Sequence, residues 1–380
     1  MRRILAVSLL ALAVRAQGQT AADTTHAGPA AAATRPAPFG GFAFSGYAEA
    51  SYQYSTHPAG TTIAGHLYDR YQNQFSLDAL DLVADRPYDA RTWSAGVHAE
   101  VLLGQNAAVV QSRGLALGPQ GDLTQLYVSL NVPTPNGNGL QFQFGKFATL
   151  LGLEVIEDVA NPVWSGGNQF IFLEDFTSTG AQVSYRFGPH ADAQLRITNG
   201  WDAVEARNSG KTVLGRLGLY PDSTSSVSLF GYSGAEELDN ASALRSGSEI
   251  LLWKKFAPSW NAWLQADYGR EMANAALPDS SRDAQWWAFG AWATRDLTST
   301  VGLGVRADYM ADPNGARTSA ALGYPATPGQ RVATGTLTLN VRAWPDALVR
   351  PEVRYDRSTI AAFGGSRSQL TAGLGVAYLF

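Results

Sequence analysis

The last ten residues, Thr371 to Phe380, read TAGLGVAYLF and alternate with a strict period of two. In an extended strand successive side chains point to opposite faces. Leu370, Ala372, Leu374, Val376, Tyr378 and Phe380 therefore share one face, and Thr371, Gly373, Gly375 and Ala377 share the other. One face is apolar and aromatic; the other is small and reads as room beside the strand.

The same alternation recurs along the chain. Extended segments fall near 42 to 55, 73 to 85, 93 to 104, 122 to 132, 139 to 146, 178 to 187, 192 to 198, 213 to 220, 225 to 233, 247 to 255, 260 to 270, 285 to 294, 300 to 310, 332 to 344, 348 to 356 and 369 to 380. One set of connections is short and rich in turn residues: PTPNG after Val132, GPHA after Phe187, PDST after Tyr220, FAPS after Lys255, RDLTS after Thr294 and PDA after Trp344. The other set is long: 56 to 72, 105 to 121, 147 to 177, 199 to 212, 234 to 246, 271 to 284, 311 to 331 and 357 to 368. Short turns on one rim and long loops on the other are the rule for antiparallel up-and-down barrels of the bacterial outer membrane, with turns in the periplasm and loops outside. An even strand count puts both termini on the short-turn side. A secreted β-sandwich would also give short strands, but it has no reason to alternate loop lengths over sixteen of them.

Bulk properties agree with export and exclude other classes. Met1 to about Gln19 carries Arg2 and Arg3, an apolar run from Ile4 to Val14 and small residues around Ala16 and Gly18, the layout of a signal peptide; cleavage after Ala16 and after Gly18 both fit. Residues 20 to 40 are Ala, Thr and Pro, which reads as a flexible leader before a barrel over 41 to 380. There is no cysteine, so no disulfide or thiolate chemistry is available. A net charge of −4, a pI of 5.8 and the lack of any Lys/Arg run argue against a nucleic-acid partner. Mean hydropathy is −0.11 and, past the leader, no apolar stretch approaches the roughly 18 residues of a membrane helix. A hydropathy average of this kind would suggest a soluble protein, but barrel strands need only about 10 residues with apolar side chains at alternate positions, so the average conceals them.

Charges settle which face is inward, because Arg or Lys facing lipid at the midplane costs about 2 to 4 kcal/mol. Segment 348 to 356 turns Val349, Pro351, Val353 and Tyr355 outward and Arg350, Glu352, Arg354 and Asp356 inward. Arg306 and Asp308, Arg342, Arg186, Arg196 and Arg216 follow by the same parity, with Glu49, His98, Glu100 and Asp267. These are the expected pore-lining residues, nearly balanced in sign. Trp93, Trp260 and Trp344 beside short turns, and Trp201, Trp286, Tyr268 and Tyr309 near long loops, read as two interfacial girdles. EILLWKK (249 to 255) and QWWAFGAW (285 to 292) are apolar on both faces, which suits either a subunit interface or lumen packing under a loop. Eight strands fill their own interior, whereas about sixteen to eighteen leave an aqueous channel.

The connection 147 to 177 stands out in length and content, with Glu154, Glu157, Asp158, Glu174 and Asp175 for negative charge and Trp164, Phe170 and Phe172 as anchors against the wall. It lies between the fifth and sixth strands, where sixteen-stranded porins carry an inward constriction loop. Set against Arg306, Arg342, Arg350 and Arg354 it would create a transverse field in the passage. The segments FSGYAEASYQYS (44 to 55), FSLDALDLVADRPYDARTWSAGVHAEVLLG (75 to 104), GKFATLLGLEVIEDVANPVWS (145 to 165), TNGWD (198 to 202) and RPEVRYDRS (350 to 358) resemble the outer-membrane β-barrel porins of the OmpL-like kind. Tyr378 and the terminal Phe380 resemble the C-terminal assembly signal of such barrels. The resemblance implies a porin-like channel in the outer membrane of Gram-negative bacteria, with outer-membrane lipid and lipopolysaccharide, the barrel assembly machinery and small polar solutes as partners, and a homo-oligomer left open; it implies no particular solute and no cofactor.

Enzyme chemistry finds no support. Of the five histidines, His26 is in the leader, His57 and His66 in the first long loop, His98 on a strand and His190 in a short turn, none with metal-ligand spacing. The sequence has no HExxH, GxSxG or Walker pattern, so the expectation is no metal and no catalytic residue. His57 and His66 read as surface loop residues. Two functions remain: a passive diffusion channel for small hydrophilic solutes or ions, or a non-conducting barrel with an adhesive, structural or rim-enzymatic role.

Overall fold

Period-two segments with an apolar outer face cannot leave backbone groups unpaired in lipid, so they have to close on themselves. The computed structural model describes residues 40 to 274, 277, 279 to 326 and 329 to 380; the signal peptide expected over 1 to 19 and, but for Gly40, the leader expected over 20 to 40 with His26 lie outside these. Among the described residues sixteen strands form one closed antiparallel barrel: β1 (Ala43–Ser55), β2 (Gln74–Arg86), β3 (Ser94–Leu103), β4 (Gly121–Val132), β5 (Leu140–Ala148), β6 (Thr177–Gly188), β7 (Ala191–Trp201), β8 (Thr212–Asp222), β9 (Ser225–Ala235), β10 (Leu244–Ala257), β11 (Trp260–Glu271), β12 (Ala284–Asp296), β13 (Val301–Asp312), β14 (Gln330–Trp344), β15 (Ala347–Ser358) and β16 (Ser368–Leu379). Each strand pairs with its sequence neighbours, and β1 closes on β16 from Tyr47 opposite Leu379 to Ser55 opposite Thr371. Phe380 completes the seam, exchanging two 3.0 Å backbone hydrogen bonds with Gly46.

Inward and outward faces follow the charge argument. On β15, Arg350, Glu352, Arg354 and Asp356 are buried inside while Val353 and Tyr355 are exposed on the outer wall. On their inner face the two doubly apolar segments pack inside, Leu251 of β10 on the Leu150 and Leu151 cluster and Trp286 and Trp292 of β12 buried, while Ile250 and Phe289 stay exposed on the outer face.

The girdles are only partly as expected. Trp93, Trp260, Trp344 and Tyr268 face outward and exposed, but Trp201 and Trp286 are 3% and 0% exposed inside the barrel. Trp286 has inward parity and lies where a side chain on Gly269 would otherwise sit. Trp201 is turned in at Gly200, whose φ of +118° lies in the region that favours glycine. Its ring meets Tyr232 at 5.0 Å.

On the long-loop side, residues from 56 to 73, 311 to 326 and 357 to 367 fold toward one another. Ala64, Leu67, Tyr68, Tyr324 and Phe363 share one apolar cluster with the short helix α2 (Asn168–Phe172) of the long connection; a helical turn, α1 (Ala107–Val110), joins the same cluster from the second long loop once both are counted in chain order.

Candidate functional site: the loop inside the barrel

The chain leaves the wall at Ala148 and rejoins it at Thr177, and residues 149 to 176 run inside the barrel. Their path is written in hydrogen bonds to successive strands. Gly152 N donates to Glu249 of β10 at 2.9 Å and Leu153 N to Gln265 of β11 at 3.1 Å. Glu154 accepts from Trp292 Nε1 of β12 and from Arg306 of β13, each at 2.9 Å. Asn340 of β14 donates to Pro162 O at 3.1 Å. Arg350 of β15 donates to Asp158 O at 2.6 Å and to Asn161 O at 2.9 Å. Glu352 accepts from Trp164 N at 2.8 Å and Ser165 N at 3.2 Å, and Arg354 donates to Gly166 O at 2.9 Å. The chain then returns through α2, with Asn168 on Asp308 and Thr334 and Gln169 on Asp267.

Small residues on the wall make this path possible. A Cβ on Gly304 would collide with the Pro162 carbonyl, and Cβ atoms on Gly373 and Gly375 would stand 2.8 and 2.9 Å from the Trp164 ring. The small face of the last strand is therefore a seat for Trp164 and not free lumen. Phe170 and Phe172 anchor the loop differently from expectation: instead of the wall they meet Tyr68 and Tyr324 of other loops and Phe176 of their own.

The expected pore-lining arginines are inward, but they do not stand across a gap from the acidic loop. Arg306 pairs with Glu154 at 2.9 Å and Asp308 at 3.0 Å, while Arg350 and Arg354 hold loop carbonyls, so these three lie under the loop as its fastenings. Arg196 donates to Gln182 and to Ala148 O and stacks on Phe147; Arg216 pairs with Asp192 at 2.6 Å. Arg186 bonds the carbonyls of its own turn at Gly188 and Pro189, and Arg342 is exposed near the short-turn rim. Asp356 is held by Arg354, Thr334 and Gln369.

The loop's other side meets more acid. Glu157 and Asp158 are buried facing Glu49, Asp81 and Glu100 of β1, β2 and β3. Burial first, then the charge of Glu100, raises Glu157 well above the usual carboxylate range, and burial raises Asp158 too. Asp81 joins this wall with Asp78, and neither was expected inward. A bulge where Glu49 pairs with Ala79 and Ala50 with Leu77 breaks the alternation of β2, so residues three apart share a face. The near balance was expected of the wall before the loop acids are added; with the loop, Asp78 and Asp81 included, among the described residues nineteen buried carboxylates stand against six buried Lys and Arg. Asp175 accepts from Thr149 and Ser178 near the loop's root. Glu174 lies against Glu249 and Asp267, where burial and then Asp267 raise it strongly; these three could hold a cation.

His66 also departs from its surface reading. It is buried between Asp69 at 2.7 Å and Asp356 at 3.4 Å. Burial works against its charged form, but the two carboxylates outweigh it and the ring titrates above its ordinary value.

With this geometry in hand, a family model described as "Putative beta-barrel porin-2, OmpL-like" matches residues 41 to 380. No curated protein sequence matches the chain. Among solved structures, the fold resembles the outer membrane channel DcaP of Acinetobacter baumannii (TM-score 0.57, 12% identity, 89% of this chain and 97% of that one). It resembles the anion-selective porin from Comamonas acidovorans (0.58, 10%, 89% and 99%) and the trimer form of OmpT, an outer membrane protein of Vibrio cholerae (0.59, 10%, 89% and 99%). At such identities the likeness is one of fold.

Proposed function

The chain belongs to the OmpL-like β-barrel porin family of the outer membrane, and from that premise we propose that it passes small hydrophilic cations through a narrow water-filled route between the loop and the wall of β1 to β7. The observation that carries the reading is the excess of carboxylate in the interior, concentrated where Glu157 and Asp158 face Glu49, Asp78, Asp81 and Glu100. Acidic rings in a confined passage attract cations and repel anions. Arg306 is paired with Glu154 and Asp308 and Arg354 with Asp356, so of the inward arginines on β13 and β15 Arg350, held by loop carbonyls, is the one left to offset that field. Planar-bilayer recordings under a salt gradient test this: stepwise openings with a reversal potential on the cation side are expected. Anion preference would overturn the selectivity, and a folded barrel that never conducts would overturn the channel.

Residues 1 to 19 act as the export signal in this reading, and Tyr378 and Phe380, both exposed on the outer wall, present the assembly signal to the barrel assembly machinery. The apolar outer wall takes membrane lipid and lipopolysaccharide, a homo-oligomer fits the trimer form of a similar fold, and no catalytic step is assigned. One observation favours a second reading, a barrel closed at the long-loop mouth and serving adhesion or envelope structure: the apolar cluster of Tyr68, Phe172, Tyr324 and Phe363 over α2. The same recordings separate the two.

A further inference from the structure

Three carboxylates from three elements meet inside the barrel: Glu174 on the returning arm of the loop, Glu249 on β10 and Asp267 on β11. Each offers an oxygen, and these oxygens lie within 4.8 Å of one another. Neutral donors hold only part of each group. Gly152 N donates to Glu249 Oε1 at 2.9 Å, Gln265 Nε2 to Glu174 Oε1 at 2.9 Å and to Asp267 Oδ1 at 3.3 Å, and Gln169 Nε2 to Asp267 Oδ2. Among the described residues none of the three carboxylates forms an ion pair.

A second feature points the same way. Glu174 and Glu249 are 2% and 5% exposed, yet Oε2 of each has no hydrogen-bond partner. Gln169, whose amide lies on Asp267, is 1% exposed and its Oε1 is equally without a partner. An acceptor buried without a donor costs about 1 to 3 kcal/mol, and more when charged. Two of these acceptors belong to carboxylates of the cluster and the third to the amide held on Asp267, and a cation among the carboxylates would satisfy the two charged ones. The backbone is shaped to the same place: Gly152 has φ +78°, and a Cβ there would run into the Glu174 carboxylate.

We propose that Glu174, Glu249 and Asp267 form a calcium-binding site that clamps the returning arm of the loop to β10 and β11. All the donors are hard oxygens, without sulfur or imidazole, which selects calcium or magnesium over zinc. Oxygens on opposite sides of a calcium ion at about 2.4 Å stand about 4.8 Å apart, and calcium's flexible coordination of 6 to 8 oxygens accepts a site built on a loop and two strands, with water completing it. Magnesium demands a tighter octahedron. The inference rests on where the loop lies and not on conduction.

Isothermal titration of calcium chloride into the folded, EGTA-treated full chain in detergent reads the site directly. One saturable calcium site is expected, with magnesium weaker. Glu249→Gln keeps an oxygen for Gly152 N but removes the charge, and it should weaken calcium binding at least about tenfold, a loss that even ligand-supporting changes produce. Should that variant fail to fold, Glu174→Gln, which keeps the acceptor for Gln265, takes its place. No saturable binding by the wild type, or binding left unchanged by the substitution, overturns the site and leaves protons to neutralise the three groups. A barrel that binds calcium but carries no current would overturn the channel and leave this site standing.

Discussion

Two stretches of the inner wall use polar residues in opposite ways. The wall of β10 to β15 is charged, and its side chains reach across to the loop: Glu249, Arg306, Arg350, Glu352 and Arg354 all bond loop backbone or loop acids. The wall of β4 to β7 carries amides and hydroxyls that bond one another, Gln182 to Gln143 at 2.7 Å and to Ser184 at 3.2 Å, with Arg196 on Gln182 at 2.8 Å. Exposure does not separate the two walls, with Glu249 and Glu352 at 5% and 4% and Gln143 and Ser184 at 2% and 3%; the partners of the side chains do. The difference separates a load carried by long-range ionic contacts from a lining that needs nothing beyond its neighbours.

Breaking the stitched wall should have the largest effect. Arg306→Ala leaves Glu154 and Asp308 buried without their shared cation, and losing one partner of a buried pair costs about 3 to 5 kcal/mol. Thermal unfolding of the folded barrel should show that loss, and single-channel conductance should rise as the loop loosens; unchanged conductance would mean that the loop does not narrow the passage. Gly375→Val crowds the Trp164 ring from behind and should cost about 1 to 3 kcal/mol by overpacking, with a measurable drop in melting temperature and the loop pushed into the lumen. On the other wall, Gln143→Ala removes one member of a neutral network and should cost only about 0.5 to 1.5 kcal/mol, leaving loop and conductance as they were. A loss as large as that of Arg306→Ala would erase the distinction between the walls.

The smallest effect is in pH. Asp202, which accepts from Phe176 N and Thr177 N where the loop rejoins the wall, is raised to about 7 by burial and then by Asp175. Glu157, Asp158 and Glu174 are raised in the same direction. A carboxyl whose folded pKa exceeds its unfolded value binds its proton more tightly when folded, so that stabilisation is present in acid and is lost as pH rises through the folded value. For Asp202 the window runs from about 4 to about 7. Melting temperature should therefore fall modestly from pH 5 to pH 8, while cation preference in the bilayer strengthens as the interior acids ionise. A rise in melting temperature over that range would show that these groups are not buried as described.

How far the chain could be read ahead of its structure differs by element. The sixteen segments and their connections emerge from alternation and turn residues within a few positions; β7 and β10 run three residues further than their pattern suggests, to Trp201 and from Leu244. Parity also placed Arg350, Glu352, Arg354 and Asp356 inside. It left Asp78 and Asp81 unassigned, where one bulged residue shifts the count, and the girdle reading failed at Trp201, where Gly200 turns the chain. His66 looked like loop surface because nothing near it in sequence announces Asp356.

By itself the sequence determined that this protein is a closed sixteen-stranded barrel with its charges inside, because strand pairing and the two-sided pleat are set by neighbouring residues and by the demand that no backbone group face lipid unpaired. Only the tertiary structure decided what the interior does with those charges. The contacts that seat the loop join residues far apart in the chain, Asp158 with Arg350 and Trp164 with Glu352, Gly373 and Gly375. No local period encodes such a meeting. It appears only when closure of the barrel brings β15 and β16 round to face the loop that left the wall after β5.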